Sequence, residues 1–114
     1  MTDRELLELA AKAAGLYFHG HRKTIFGDAT WVSSTGDTDD QFEWNPLTDD
    51  GQAFRLANAL RLIVCHAELA VIVKDKQYSW EWIGEIVNED TGDRNASARR
   101  AIVRAAAEIG KGMK

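Results

Sequence analysis

The chain has 114 residues, of which 45% are hydrophobic and 28% charged, with a formal net charge of -4. That is one globular domain, long enough to bury roughly two-thirds of the surface its unfolded chain exposes, so neither disulfides nor a structural metal are needed for folding. The single cysteine, Cys65, excludes an internal disulfide and fits a reducing cytoplasm; the polar opening Met1–Glu5 is not expected to be a signal peptide, and apolar runs such as Leu62–Cys65 are far too short to span a bilayer.

Thr2 and Glu5 have capping-box spacing, hydroxyl and carboxylate each satisfying an exposed backbone N–H. Leu6, Leu9, Ala10 and Ala13 then recur at helical spacing and Gly15 suits the residue after a helix, so a helix is predicted over 3–14. Leu16–Phe18 is a short extended run, and the polar stretch His19–Asp28 reads as loop. Thr30–Val32 is β-like, Ser33–Asp40 is turn chemistry, and Gln41–Trp44 alternates so that Phe42 and Trp44 share a face. Residues 30–33 are predicted to pair with 41–44 as a hairpin.

Asn45-Pro46 ends that strand, and Thr48 or Asp49 caps a second helix with Asp49 and Asp50 near its positive end. Ala53, Leu56, Ala57 and Leu60 form its apolar face, helped by Phe54. Residues 62–66 and 68–74 read as strands apolar on both sides, followed by a turn at Lys74–Gln77. Tyr78–Val87 is a further strand with Trp80, Trp82 and Ile86 on one face, and Asn88–Asp93 is a turn. The last helix is predicted over 94–109, with a seam of Ala98, Ile102, Ala105 and Ile109 and a solvated ridge of Arg100, Arg104, Glu108 and Lys111. The expected class is α+β: three helices on both faces of one mostly antiparallel sheet of about four to five strands, an α/β/α sandwich.

Charge is unevenly placed. Between Lys23 and Arg55 there is no Lys or Arg, while Asp28, Asp37, Asp39, Asp40, Glu43, Asp49 and Asp50 all lie there. Asp49 and Asp50 have a helix start to serve; the turn acids Asp37, Asp39 and Asp40 have no evident capping role. With Glu43 and Trp44 they form a candidate docking surface for another protein. Trp44 also suits a core anchor. Asp37 and Asp39 match the start of a calcium loop, but Phe42 replaces its glycine and Thr48 its final glutamate. His19 and His21 can present two imidazoles on one side of an extended segment, with Asp28 or His66 available to a zinc ion, though the spacing fixes neither. Such a metal-dependent enzyme built from loop His and Asp residues is one alternative; no catalytic set, metal or cofactor is assigned. Cys65 and His66, adjacent on a strand, point to opposite faces and make no dyad. Arg99, Arg100 and Arg104 offer a second alternative, a basic helix meeting nucleic-acid phosphates, opposed by the acidic balance of the chain. A sheet edge or an exposed indole also allows a homodimer.

The stretch WNPLTDDGQAFRLANAL, residues 44–60, with RRAIVRAAAEIGKGM at 99–113 and TDRELLELAAKAAGL at the start, is similar to the phage ABA sandwich domain family. The resemblance implies a small protein encoded by a phage or prophage, a sheet held between helices, and residence in the host bacterial cytoplasm. It carries no assigned activity, so no catalytic residue is transferred, and residues 20–43 lie outside it. Together these readings predict an accessory protein that acts on a host or phage protein, inhibiting a host factor through its acidic surface.

Overall fold

The computed structural model describes residues 2–25, 27–66, 70–75, 82–86 and 94–113, and within 63–94 the backbone alone. The chain is α+β. Helix α1 spans Asp3–Ala13, and Thr2 caps it by accepting from the Glu5 N–H at 3.2 Å. Leu6, Leu7, Ala10 and Ala11 are its buried face.

Strands β1 (Tyr17–Thr24), β2 (Gly27–Ser33) and β3 (Phe42–Glu43) form an antiparallel sheet in that order. The predicted β2–β3 hairpin is present, with Trp31 opposite Glu43 and Val32 opposite Phe42. The predicted loop at His19–Asp28 is not: residues through Thr24 continue β1, and Thr24 pairs with Gly27 at the start of β2. This segment carries no apolar alternation because it is an outer strand, so few of its side chains enter the core. The ladder shifts register between Phe18 and Gly20, where Gly20 takes a φ of +116°, a value only glycine adopts without strain.

Asn45 hands the chain on to the next helix. Its Oδ1 accepts from the Leu47 N–H, and its carbonyl accepts from the N–H groups of Thr48 and Asp49. Pro46 is buried. Helix α2 spans Asp50–Ala59 with Asp49, rather than Thr48, as its cap, accepting from the Gln52 N–H at 2.9 Å. Gln52 reaches back, donating to the Glu43 carbonyl and accepting from the Asn45 N–H. The turn from strand to helix is thereby closed on itself.

Strands β4 (Leu62–His66), β5 (Ala70–Asp75) and β6 (Trp82–Ile86) form a second antiparallel sheet. The described strands therefore lie in two three-stranded sheets, where one sheet of four to five strands was expected. Of the turn predicted at Lys74–Gln77, Lys74 and Asp75 instead continue β5, while 76–77, the predicted turn at 88–93, and the strand residues 68–69, 78–81 and 87 lie outside the described residues. So does Trp80, while Trp82 opens β6.

Helix α3 runs over Arg94–Gly112, a turn beyond its predicted end, against α1, α2 and β4–β6. The seam residues Ile102, Ala105 and Ile109 are buried, and so are Ala101, Val103, Ala106, Ala107 and Gly110, which leaves only a narrow exposed ridge of Arg104, Glu108 and Lys111. Arg100 pairs with Asp3 near the start of both helices, while Lys12 donates to the Met113 carbonyl near both ends. Helices α1 and α3 therefore run in the same direction. A Cβ on Gly110 would stand 2.0 Å from the Leu9 carbonyl oxygen, so the two backbones approach more closely than any side chain allows. Small residues permit this approach: each Ala buries only about one methyl group of apolar surface, and dense contact supplies the rest. Val32, Trp44, Leu56 and Leu60 join the same core. No described helix is long and apolar enough to cross a membrane.

Candidate functional site

β2 has buried residues on both faces, Ala29 and Ser33 on one and Thr30 and Val32 on the other. Val32 packs in the core, and Asp28, on the same face two pairs along, is bound by Arg4 of α1. The opposite face carries Ala29, Trp31 and Ser33, flanked by Arg22 of β1 and Glu43 of β3. The Arg22 guanidinium lies over the Trp31 ring, 5.2 Å from its centroid, and donates to Gln41 Oε1 at 2.9 Å.

The bulge decides the fate of the two histidines. His21 Nδ1 hydrogen-bonds Thr30 Oγ1 at 2.9 Å, and His19 Nε2 hydrogen-bonds Ser33 Oγ at 2.8 Å. Thr30 and Ser33 are three apart on β2 and so face opposite ways. The imidazoles diverge, which overturns the expected pair on one side. Each instead satisfies a buried hydroxyl, whose desolvation unpaired costs on the order of 1–3 kcal/mol. Among the described residues no group of three or more His, Cys, Asp or Glu converges on a point. Cys65 and His66 lie in β4, with side chains outside the described set.

The acidic turn follows β2. Asp37 caps a short 3-10 turn, Thr38–Asp40, accepting from the Asp39 N–H at 3.0 Å. Asp40 Oδ2 accepts from the Thr35 hydroxyl at 2.9 Å, and Thr35 Oγ1 accepts from the Asp37 N–H. Two of the turn acids thus do have local work, contrary to the expectation that none did. Each uses one oxygen, and the carboxylates of Asp37, Asp39, Asp40 and Glu43 all remain exposed. None forms an ion pair among the described residues.

Trp44 leaves the surface set. It is only 5% exposed, with its N–H donating to the Thr30 carbonyl and its indole in the core. Phe42 and Tyr17 are the described exposed aromatics at this end, and Tyr17, 56% exposed, is seated beside Gly36 of the acidic turn. Nothing in the short apolar run Leu16–Phe18 distinguishes Tyr17 as a surface residue. Its opposition to Ser33 across the ladder sets it on the Trp31–Glu43 face.

The basic helix is largely committed inward. Arg99, with a side chain 17% exposed, donates to the Leu47 carbonyl at 2.8 Å and pairs with Asp50 at 2.5 Å. Arg100 is held by Asp3, and Arg104 is exposed one turn further on. The structure therefore does not bring Arg99, Arg100 and Arg104 together as a phosphate-binding row. A groove of about 770 Å³ runs between α1 and β1, lined by Glu5, Glu8, Leu9, Leu16, Tyr17 and Phe18 among others. Comparison of the chain with protein-family models, curated proteins and solved structures gives no match.

Proposed function

We propose that this chain is a non-enzymatic protein-binding module of the phage ABA sandwich type, with helices on both faces of a sheet, acting in the cytoplasm of a bacterial host. It docks a basic surface of a host or phage protein on the acidic end of the β1–β2–β3 sheet. Asp37, Asp39, Asp40 and Glu43 supply the charge, and Tyr17 replaces Trp44 as the aromatic anchor. In its stronger form the carboxylates stand where phosphates would sit in a host nucleic-acid-binding protein and block it.

The supporting observation is how the seven acids between Lys23 and Arg55 divide. Asp28 pairs with Arg4, Asp49 caps α2, and Asp50 pairs with Arg99. The remaining four stay exposed and without an ion pair among the described residues. Like charges gathered within about one Debye length, roughly 8 Å at physiological salt, raise the local field and attract a complementary partner. No ion pair among the described residues offsets that repulsion, so a cationic partner relieves it. The nucleic-acid alternative loses support because Arg99 and Arg100 already bind Asp50 and Asp3.

The test is the variant Asp37→Asn with Asp39→Asn and Asp40→Asn. Asn caps as well as Asp does, so the turn keeps its hydrogen bonds while three charges vanish. Affinity capture from a bacterial lysate at low salt is expected to yield a basic protein with the wild type and not with the variant. Equal capture by both would overturn the assignment.

A further inference from the structure

β1 is an outer strand of its sheet, and the longer of the two: β2 occupies one side, and no described strand pairs with the other. Alternate residues along this eight-residue strand turn their backbone N–H and C=O groups to that side, a template for a further strand. We propose that a second copy of this chain occupies that edge, its own β1 adding antiparallel about a two-fold axis.

The register shift makes the surface self-complementary. Phe18 lies opposite Val32, His21 opposite Thr30 and Lys23 opposite Asp28, so all three project on the face that α1 overhangs. Without the extra residue at His19, Phe18 and His21 would face opposite ways; here their rings meet edge to face, 4.9 Å between centroids. Phe18 is 38% exposed and lines the groove between α1 and β1 together with Glu5, Glu8, Leu9 and Leu16. Neither Glu5 nor Glu8 forms an ion pair among the described residues, and neither does Lys23. Lys12 also lines the groove, but its ammonium is held by the Met113 carbonyl.

Charge selects the arrangement. Parallel addition would set Arg22 and Lys23 of the two copies side by side, which like-charge repulsion disfavours. Antiparallel addition brings the His21–Lys23 end of each strand to the Tyr17–Phe18 end of the other. That end opens into the groove with its two glutamates. Each Lys23 then reaches Glu8 of the other copy, twice by symmetry, while Phe18 of each covers apolar groove surface. The two surfaces meet at Tyr17, but the charges that define them differ, Glu8 and Lys23 here and Asp37, Asp39, Asp40 and Glu43 there, so their variants test the two assignments independently.

Sedimentation velocity over a concentration series tests the proposal with the wild type, Lys23→Glu, Glu8→Lys, and the double variant. All the altered side chains are exposed, and far-UV circular dichroism checks that each variant folds. The wild type is expected to pass from monomer to dimer with concentration. Each single reversal weakens the dimer about tenfold or more, since two symmetry-related pairs become repulsive, and the double variant restores it. A wild type that stays monomeric throughout, a dimer indifferent to the single reversals, or a double variant no better than the singles each overturns it.

Discussion

Replacing Gly110 by alanine adds one carbon at the crossing of α1 and α3. Its ideal position is 2.0 Å from the Leu9 carbonyl oxygen, 2.9 Å from the Leu9 carbonyl carbon and 3.4 Å from the Ala13 nitrogen. A Cβ essentially never comes within 3.0 Å of a non-bonded heavy atom from elsewhere in the fold, so the helices must part by about 1 Å. The obstructing atoms are backbone, and no side-chain rotation relieves them. Val103, Ala106 and Ala107 share the Gly110 side of α3 by helical spacing, and all are fully buried. A gap of about 1 Å forfeits up to half of each atomic contact along that seam. Overpacking of this kind costs about 1–3 kcal/mol, occasionally more. Alanine returns about 1 kcal/mol through its better helix propensity. With backbone on both sides of the clash, the upper part of the range applies, for a net loss of about 2 kcal/mol. Urea unfolding followed by far-UV circular dichroism measures it, with Gly112→Ala as the control, since no atom lies within 4 Å of a Cβ there. Gly112→Ala is expected to be neutral or slightly stabilising. A Gly110→Ala protein as stable as that control would refute the close crossing of α1 and α3.

Further outcomes follow from the ties around α2 and the hairpin. Asp49→Ala removes the α2 cap and is expected to cost about 1 kcal/mol in thermal or urea unfolding, whereas Asp49→Asn costs little; equal losses in both would show that charge rather than capping matters. Arg99→Ala strips the Leu47 carbonyl and Asp50 of their shared partner and is expected to cost about 1–2 kcal/mol, with Arg99→Lys intermediate because an ammonium cannot reproduce the planar fork. No loss in the alanine variant would remove α3 as the anchor of the 47–50 turn. The Arg4 guanidinium hydrogen-bonded to Asp28 holds that carboxyl below its ordinary value of 3.8, outweighing the desolvation that raises it. Because the folded value is the lower one, the pair stabilises the fold above the unfolded pKa, and the contribution fades as pH falls through the folded one. Arg4→Ala is therefore expected to be slightly less stable than wild type near neutrality, with the two stability curves meeting in acid; a gap that persists undiminished there contradicts the pairing.

The parts of the fold that were legible in the sequence are those governed by local chemistry. Thr2, Asp49 and Pro46 announce helix starts and a strand end through hydrogen-bonding and ring constraints that act within four residues. Trp31 and Val32 meet Glu43 and Phe42 because alternation and turn residues together fix a hairpin. What stayed hidden depends on the tertiary position of a segment. His19–Thr24 looks like loop because an outer strand can be polar and charged on both faces. The bulge that separates His19 from His21 follows from the register against β2, which no spacing rule shows. Trp44 suits either core or surface by sequence, and only its burial in the core cluster decides between them. The narrow ridge of α3 reflects burial against three neighbours, whereas periodicity suggested one. At the acidic end the carboxylates were legible by composition, but the capping role of Asp37 needed the 3-10 turn, and Tyr17 needed the ladder that opposes it to Ser33.

The central claim is that the acidic end of the first sheet is a docking surface. Amide chemical-shift mapping on titration with the basic protein captured from the lysate tests it most directly. The account predicts shifts clustered at 35–43 and at Tyr17, growing weaker as salt is raised. Shifts confined to the arginines of α3, with 35–43 unmoved, would contradict it.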